Sequence, residues 1–213
     1  MLHYETIAPA TRVLLNSLMS DDRLQDFVLV GGTSLALQLG HRISIDLDLF
    51  TNVDFNEDAL RAYLENNYHF KADFIERSTV KGEIDGVQID CIAHCYPWLK
   101  PCRLEDGLRF AQLEDISAMK LNAIAGNGTR IKDFIDVAYL SSVFSLQQML
   151  GFYEQKYHSN TLMPLKGLIF FDDINKDEPV HMADKKPLQW KRIEKRLLMM
   201  DRYPERVFES LLS

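Results

Sequence analysis

Cysteine is scarce in this sequence: only Cys91, Cys95 and Cys102 occur among 213 residues. An odd number leaves one thiol over in any disulfide scheme, which excludes a disulfide-dense secreted scaffold and makes free thiols the expectation. Also missing is any apolar run near the roughly 18 residues needed to cross a bilayer. The opening Met-Leu-His-Tyr-Glu has no basic region followed by an apolar one, so the chain reads as cytoplasmic, with no membrane partner. Positive charge is not in excess either. The 24 Lys and Arg against 31 Asp and Glu give a net charge of −7, which argues against a general nucleic-acid coat while leaving room for a local basic patch. There are no repeats or low-complexity tracts. What remains is an ordinary globular balance, 46% hydrophobic and 26% charged, long enough to build a core without staples.

Apolar spacing at Ile7, Val13, Leu14, Leu15, Leu18 and Met19 predicts a first helix over residues 7–20. A short apolar strand, Phe27 to Val30, stops at Gly31-Gly32, and a short helix follows to Gly40. Residues 43–50 alternate Ile43, Ile45, Leu47 and Leu49 with Ser44, Asp46 and Asp48, the period of a half-buried strand. A helix is expected over residues 56–67, then strands near 70–75, 79–84 and 87–93, the last two joined by the hairpin dipeptide Asp85-Gly86. From about Leu113 the spacing turns helical. Pro97, Pro101 and Gly107 mark a boundary near residues 97–112, and a further helix is expected over roughly 187–200.

The chemistry lies in the carboxylates. Asp46 and Asp48 are two apart in a strand pattern, so both leave one face about 6.5–7 Å apart. That spacing suits ligands flanking a pair of metal ions, as in-line displacement at an α-phosphate requires. Asp90 shares its strand parity with Gln88 and is the natural third carboxylate. Magnesium prefers such oxygen ligands and keeps several waters. Gly31-Gly32 permits close backbone approach, and Thr33-Ser34 can set amides and hydroxyls around a phosphate at a helix start.

Val30-Gly31-Gly32 followed by Asp46-Leu47-Asp48-Leu49 resembles the h-G-[GS]-x(n)-D-h-D-h signature of the polymerase-β nucleotidyltransferase superfamily. The longer stretches from Gly31 to Leu37 and from His41 to Phe50 are similar to its AbiEii-type toxin branch. A second block, Lys120-Leu121-Asn122-Ala123-Ile124, Arg130 and the run from Lys132 to Leu140, resembles the K-x-x-A-h…R…[RK]-D-h-x-D-h-x-x-L motif of that branch. The resemblance spans residues 28–142 and implies an α/β (α+β) fold. A small mixed nucleotidyltransferase sheet flanked by helices is expected over residues 1–105, and an all-helical half closing the active-site cleft over 106–213. It also implies Mg²⁺, an NTP substrate, and a toxin that adds nucleotides to tRNA ends beside a cognate antitoxin or regulator. Lys120 and Arg130 are expected to reach substrate phosphates, and Arg42 and Ser44 to contact phosphate or support the carboxylates. Asp133 and Asp136, i,i+3 on one helix face, can fix the basic side chains or act as a general base, with Asp133 favoured by the resemblance, and Asp90 is expected to help deprotonate the attacking hydroxyl.

Other readings stay open. The same fold can serve as a nucleotide- or protein-binding regulatory module, or modify a small molecule or a protein. Cys91, His94, Cys95 and Cys102 lack the tight spacing of a zinc knuckle, and buried free thiols are the simpler account. Lys191, Arg192, Lys195 and Arg196 form a basic stripe that either touches RNA or is a solvated helix face.

Overall fold

Between Val87 and Ala93, the buried Val87, Ile89 and Cys91 alternate with the less buried Gln88 and Asp90, the signature of a strand with one face on a core. In the computed structural model, which describes residues 1–211, this segment is β5 (Val87–Ala93) of a mixed sheet. Its other strands are β1 (Val28–Leu29), β2 (Leu47–Thr51), β3 (Lys71–Glu76), β4 (Thr79–Ile84), β6 (Arg103–Glu105) and β7 (Leu108–Phe110). The order across the described sheet is β3-β4-β5-β2-β1-β7-β6. β2 runs parallel to β5 and β1 parallel to β7, while the other neighbours are antiparallel.

Three helices belong to this α/β part: α1 (Pro9–Met19), α2 (Gly31–Leu39) and α3 (Glu57–Tyr68). α1 starts with Pro9 at its first position, where the missing N–H costs nothing. Asn56 caps α3 by accepting the Ala59 N–H at 2.8 Å, and Glu57 and Asp58 suit its positive end. Leu15 and Leu18 of α1 and Leu64 of α3 share one buried cluster with Leu29, Leu47, Leu49, Val80, Ile89 and Phe110 from the sheet. Arg109 on β7 donates to the carbonyls of Met19, Leu24 and Phe27 at 2.6, 3.1 and 3.2 Å. The guanidinium thereby ties the end of α1 and the following turn to the sheet, the Leu24 carbonyl also accepting the Phe27 N–H at 3.0 Å.

Contacts divide the chain into two units, and the division is not a single cut. The first comprises Met1–Gln38 and Ser44–Gln112; the second takes Leu39–Ile43 together with the chain from Leu113 onward. In the second unit α4 (Leu113–Gly126) packs against α5 (Ile131–Leu140), α6 (Leu146–Tyr157) and α7 (Leu162–Leu168), and α5 against α8 (Trp190–Arg202). The short segment is held there by backbone bonds, Ile43 N–H to His181 O at 2.7 Å and Ala183 N–H to His41 O at 3.1 Å. No described helix is long and apolar enough to cross a membrane.

Asp85 and Gly86 both adopt positive φ, 51° and 82°, as the expected hairpin turn requires. Two expectations need correction. The strand anticipated over residues 43–50 begins only at Leu47. Ile45 is 60% exposed, and Ser44 donates its N–H to Thr6 O at 2.9 Å instead of joining the sheet. The boundary segment 97–112 in turn contains the β6–β7 hairpin, turning at Asp106 and Gly107 with φ 53° and 79°. Its β7 strand pairs with β1.

Between α4 and α6, Lys156 Nζ lies 2.7 Å from Asp115 Oδ1, and both side chains are fully buried. Replacing Lys156 by Ala removes the counter-charge of a buried carboxylate, so stability should fall by about 3–5 kcal/mol in chemical denaturation.

Candidate active site

A row of side chains crosses the sheet on the face opposite the buried Val80, Leu47, Leu49 and Ile89. Parallel pairing sets Asp48 of β2 in register with Asp90 of β5, on strands about 4.8 Å apart. The β4–β5 hairpin sets Lys81 in register with Asp90, and Lys81 Nζ forms an ion pair with Asp90 Oδ2. On the other side Val30 donates its N–H to Asp48 O at 2.9 Å, which brings the Gly-Gly turn against β2.

Gly31 opens α2 with φ 65°, in the left-handed region that only glycine occupies freely. A Cβ at this position would fall inside the Asp48 carboxylate, so the close approach itself demands glycine. Thr33, fully buried, donates its hydroxyl to Asp46 O and ties the residue ahead of β2 to the helix. Ser34, also buried, donates its N–H to Val30 O at 3.3 Å and accepts from Gln38 Nε2 at 3.2 Å. The Thr33 hydroxyl therefore serves the turn, and the Ser34 hydroxyl the helix beyond it. The earliest N–H groups of α2 have no carbonyl within the helix to bond to.

Residues 12–211 match the family model described as "Nucleotidyl transferase AbiEii toxin, Type IV TA system". The chain belongs to the AbiEii nucleotidyltransferase family. It is therefore an enzyme of nucleotidyl transfer, and the match runs through the helices beyond residue 142 that the sequence resemblance did not reach. An uncharacterized protein of Aquifex aeolicus (strain VF5) is 28% identical over 173 residues, 78% of this chain and 84% of that one. A solved Helicobacter pylori structure described as a candidate nucleotidyltransferase agrees with a TM-score of 0.58 at 17% identity, covering 91% of both chains. JHP933 from Helicobacter pylori agrees with a TM-score of 0.51 at 18% identity, over 91% of this chain and 88% of its own. At these identities the two structures speak for the fold alone.

Of the residues expected at the AbiEii site, Gly31, Gly32, Thr33, Ser34, Ser44, Asp46, Asp48 and Asp90 lie in the first unit, and Arg42, Lys120, Arg130 and Asp133 in the second. Arg130 is exposed and precedes α5. The other three sit in a buried charge cluster. Arg42 grips Asp136 with two donors, Nε to Oδ1 at 2.7 Å and Nη2 to Oδ2 at 2.9 Å. Lys120 Nζ lies 2.7 Å from Asp133 Oδ1 and 2.8 Å from Asp136 Oδ2. His41 Nε2 lies 2.8 Å from Asp136 Oδ1.

Electrostatics follows from this packing. Burial pushes the Asp136 carboxyl up, but the charges of Arg42 and Lys120 outweigh it and hold the group well below the usual carboxylate range. Burial likewise pulls Lys120 down, and Asp136 and Asp133 more than reverse that, keeping the ammonium charged. Burial lowers His41 and dominates there, so the imidazole is neutral and donates from Nε2 to Asp136. Two cations then face two carboxylates. Asp133 Oδ2 is left buried with no hydrogen-bond partner.

Nucleotidyltransferases of this kind generally use a divalent metal. Asp48 and Asp90 fit one chemically, being hard oxygen donors side by side on one sheet face. Among the described residues no three acidic, imidazole or thiol groups form a cage, but Mg²⁺ is ordinarily held by one or two carboxylates together with substrate phosphates. Lys81 was absent from the sequence reading. The two-residue Asp85-Gly86 turn fixes the register that places it opposite Asp90, and would have revealed it.

Gly31→Ala should cost about 1–3 kcal/mol from its backbone conformation alone and displace Asp48. The expected result is a lowered melting temperature together with weakened Mn²⁺ binding in titration. The depressed folded-state pKa of Asp136 contributes stability above the unfolded value near 4, and that contribution is lost as pH falls through the folded value. Asp136→Asn should therefore be about 3–5 kcal/mol less stable at neutral pH. Its acid unfolding curve should also be flatter than that of the wild type below about pH 4.

Proposed function

We propose that this AbiEii-family enzyme transfers a nucleoside monophosphate from an NTP to a hydroxyl of RNA, with tRNA the favoured acceptor and Mg²⁺ the cofactor. The observation that carries this reading is the in-register pair Asp48 and Asp90, with the Gly31 turn packed against Asp48. Asp48 and Asp90 would hold the metal, with Asp46, which directly precedes β2, as the further carboxylate of the motif. When bound, the metal supplies Lewis acidity that offsets charge on the transferred phosphate and the departing pyrophosphate. The first backbone N–H groups of α2, from Gly31 and Gly32 onward, are suited to phosphate oxygens. Thr33 ties that turn to the segment ahead of β2.

In the reaction the acceptor oxygen forms a new bond to the α-phosphorus as the bond to pyrophosphate breaks. Pyrophosphate leaves with the bonding electron pair, and the hydroxyl proton passes to a carboxylate base. Asp133, Lys120, Arg42 and Asp136 instead form the buried charge cluster that holds the second unit together. Ser44, buried beside the Asp46 segment, supports the carboxylates through its backbone. RNA is favoured over a small molecule by α8, where Lys191, Arg192 and Lys195 are exposed opposite the buried Ile193, Leu197 and Met200. A toxin family also makes a cognate antitoxin the expected protein partner, in the cytoplasm.

With labelled NTPs, Mg²⁺ and total RNA, the wild type should label RNA, and Asp48→Asn should reduce labelling at least about 100-fold with its circular dichroism unchanged. Label entering protein or a small molecule instead would sink the RNA assignment. Metal-dependent NTP binding without any transfer would replace the enzyme reading by a binding module.

A further inference from the structure

Lys81, the partner of Asp90, has no part in the mechanism above. Across the strands the row reads Lys81, Asp90, Asp48 and then the start of α2, that is, cation, anion, anion and the positive end of a helix. Lys81 is 38% exposed and Asp90 26%, and a pair so accessible adds little to folding. Its value lies in what it does to the carboxylate. The ammonium sits on Asp90 Oδ2, so a divalent cation held by Asp90 would meet a carboxylate that already carries a positive partner. Lysine is a compact charge on a flexible four-carbon stem, so it can leave that oxygen and remain within a strand spacing of the site.

Resting on the nucleotidyl-transfer reading of the same residues, we propose that Lys81 and the divalent cation compete for Asp90. Once displaced, Lys81 contacts the phosphates of the incoming nucleotide. No bond is made or broken in this exchange; one cation replaces another on a carboxylate. The consequence is coupling. A cation arriving alone must evict Lys81 into water, whereas a cation arriving with a nucleotide offers the ammonium a new anionic partner. Metal and nucleotide therefore strengthen each other's binding by the same factor.

The test uses the full chain as wild type, Lys81→Gln and Lys81→Arg. Mn²⁺ binding is read from the loss of the free-ion electron paramagnetic resonance signal, with and without α,β-methylene analogues of ATP and GTP, which cannot transfer. Without analogue, Lys81→Gln should bind Mn²⁺ about 2- to 5-fold more tightly than wild type. With Mn²⁺ present, it should bind the analogue about 5-fold more weakly, and Lys81→Arg should restore part of that loss. In an Asp90→Asn background, Lys81→Gln should leave Mn²⁺ affinity unchanged. The proposal is overturned if Lys81→Gln does not tighten Mn²⁺ binding, if the tightening persists without Asp90, or if none of the proteins binds Mn²⁺. Failure of RNA labelling with the expected Mn²⁺ response would remove the transfer reading and leave the competition standing.

Discussion

The parallel pairing of β2 with β5 is the constraint on which the site depends. Parallel neighbours cannot be joined by a tight turn, so the chain between them forms α3 and the strands β3 and β4 before returning as β5. That detour brings β4 back beside β5 and carries Lys81 into the row. The same pairing sends Leu47, Leu49, Ile89 and Cys91 to the core, so a slip of one residue would bury the carboxylates and expose the leucines. The hydrophobic core of the first unit thereby also fixes the chemistry on its far face.

Much of this was legible in the residues. Alternation put Asp48 and Asp90 each on the polar side of its own strand, while the face expected to be shared by Asp46 and Asp48 is not a strand face, because β2 begins after Asp46. Gly31-Gly32 implied a close approach that its positive φ and the adjacent Asp48 carboxylate explain. The Asp85-Gly86 dipeptide announced its hairpin. Other features were hidden for physical reasons. Residues 43–46 carry the right alternation for a strand, but backbone bonding to Thr6 and His181 takes them elsewhere, a tertiary preference that no local period encodes. The β6–β7 hairpin is only three residues on each side, too short for alternation to stand out among the prolines that precede it.

The second unit contrasts with the first in how it handles charge. On the sheet, carboxylates remain partly accessible beside one lysine. Among the helices, Asp115, Asp133 and Asp136 are buried with Lys156, Lys120 and Arg42 as counter-charges. Such pairs stabilise little relative to apolar packing, yet losing one partner is costly. The motif that includes Lys120, Asp133 and Asp136 thus combines a family signature with strict demands on packing, and neither can be separated from the other by inspecting the sequence alone.

The five residues Leu39–Ile43 give the chain an unusual kind of modularity. They stand in sequence between the Gly-Gly helix and the carboxylate strand, yet they belong to the helical unit and supply Arg42 and His41 to Asp136. A fragment starting at residue 113 would inherit Asp136 without these two partners, and one ending at 112 would carry Arg42 without the acid it pairs with. Recombination at the apparent boundary would therefore yield two incomplete halves. The heritable unit of this enzyme is the interleaved pair, and any exchange of its helical part between relatives must bring the short inserted segment along.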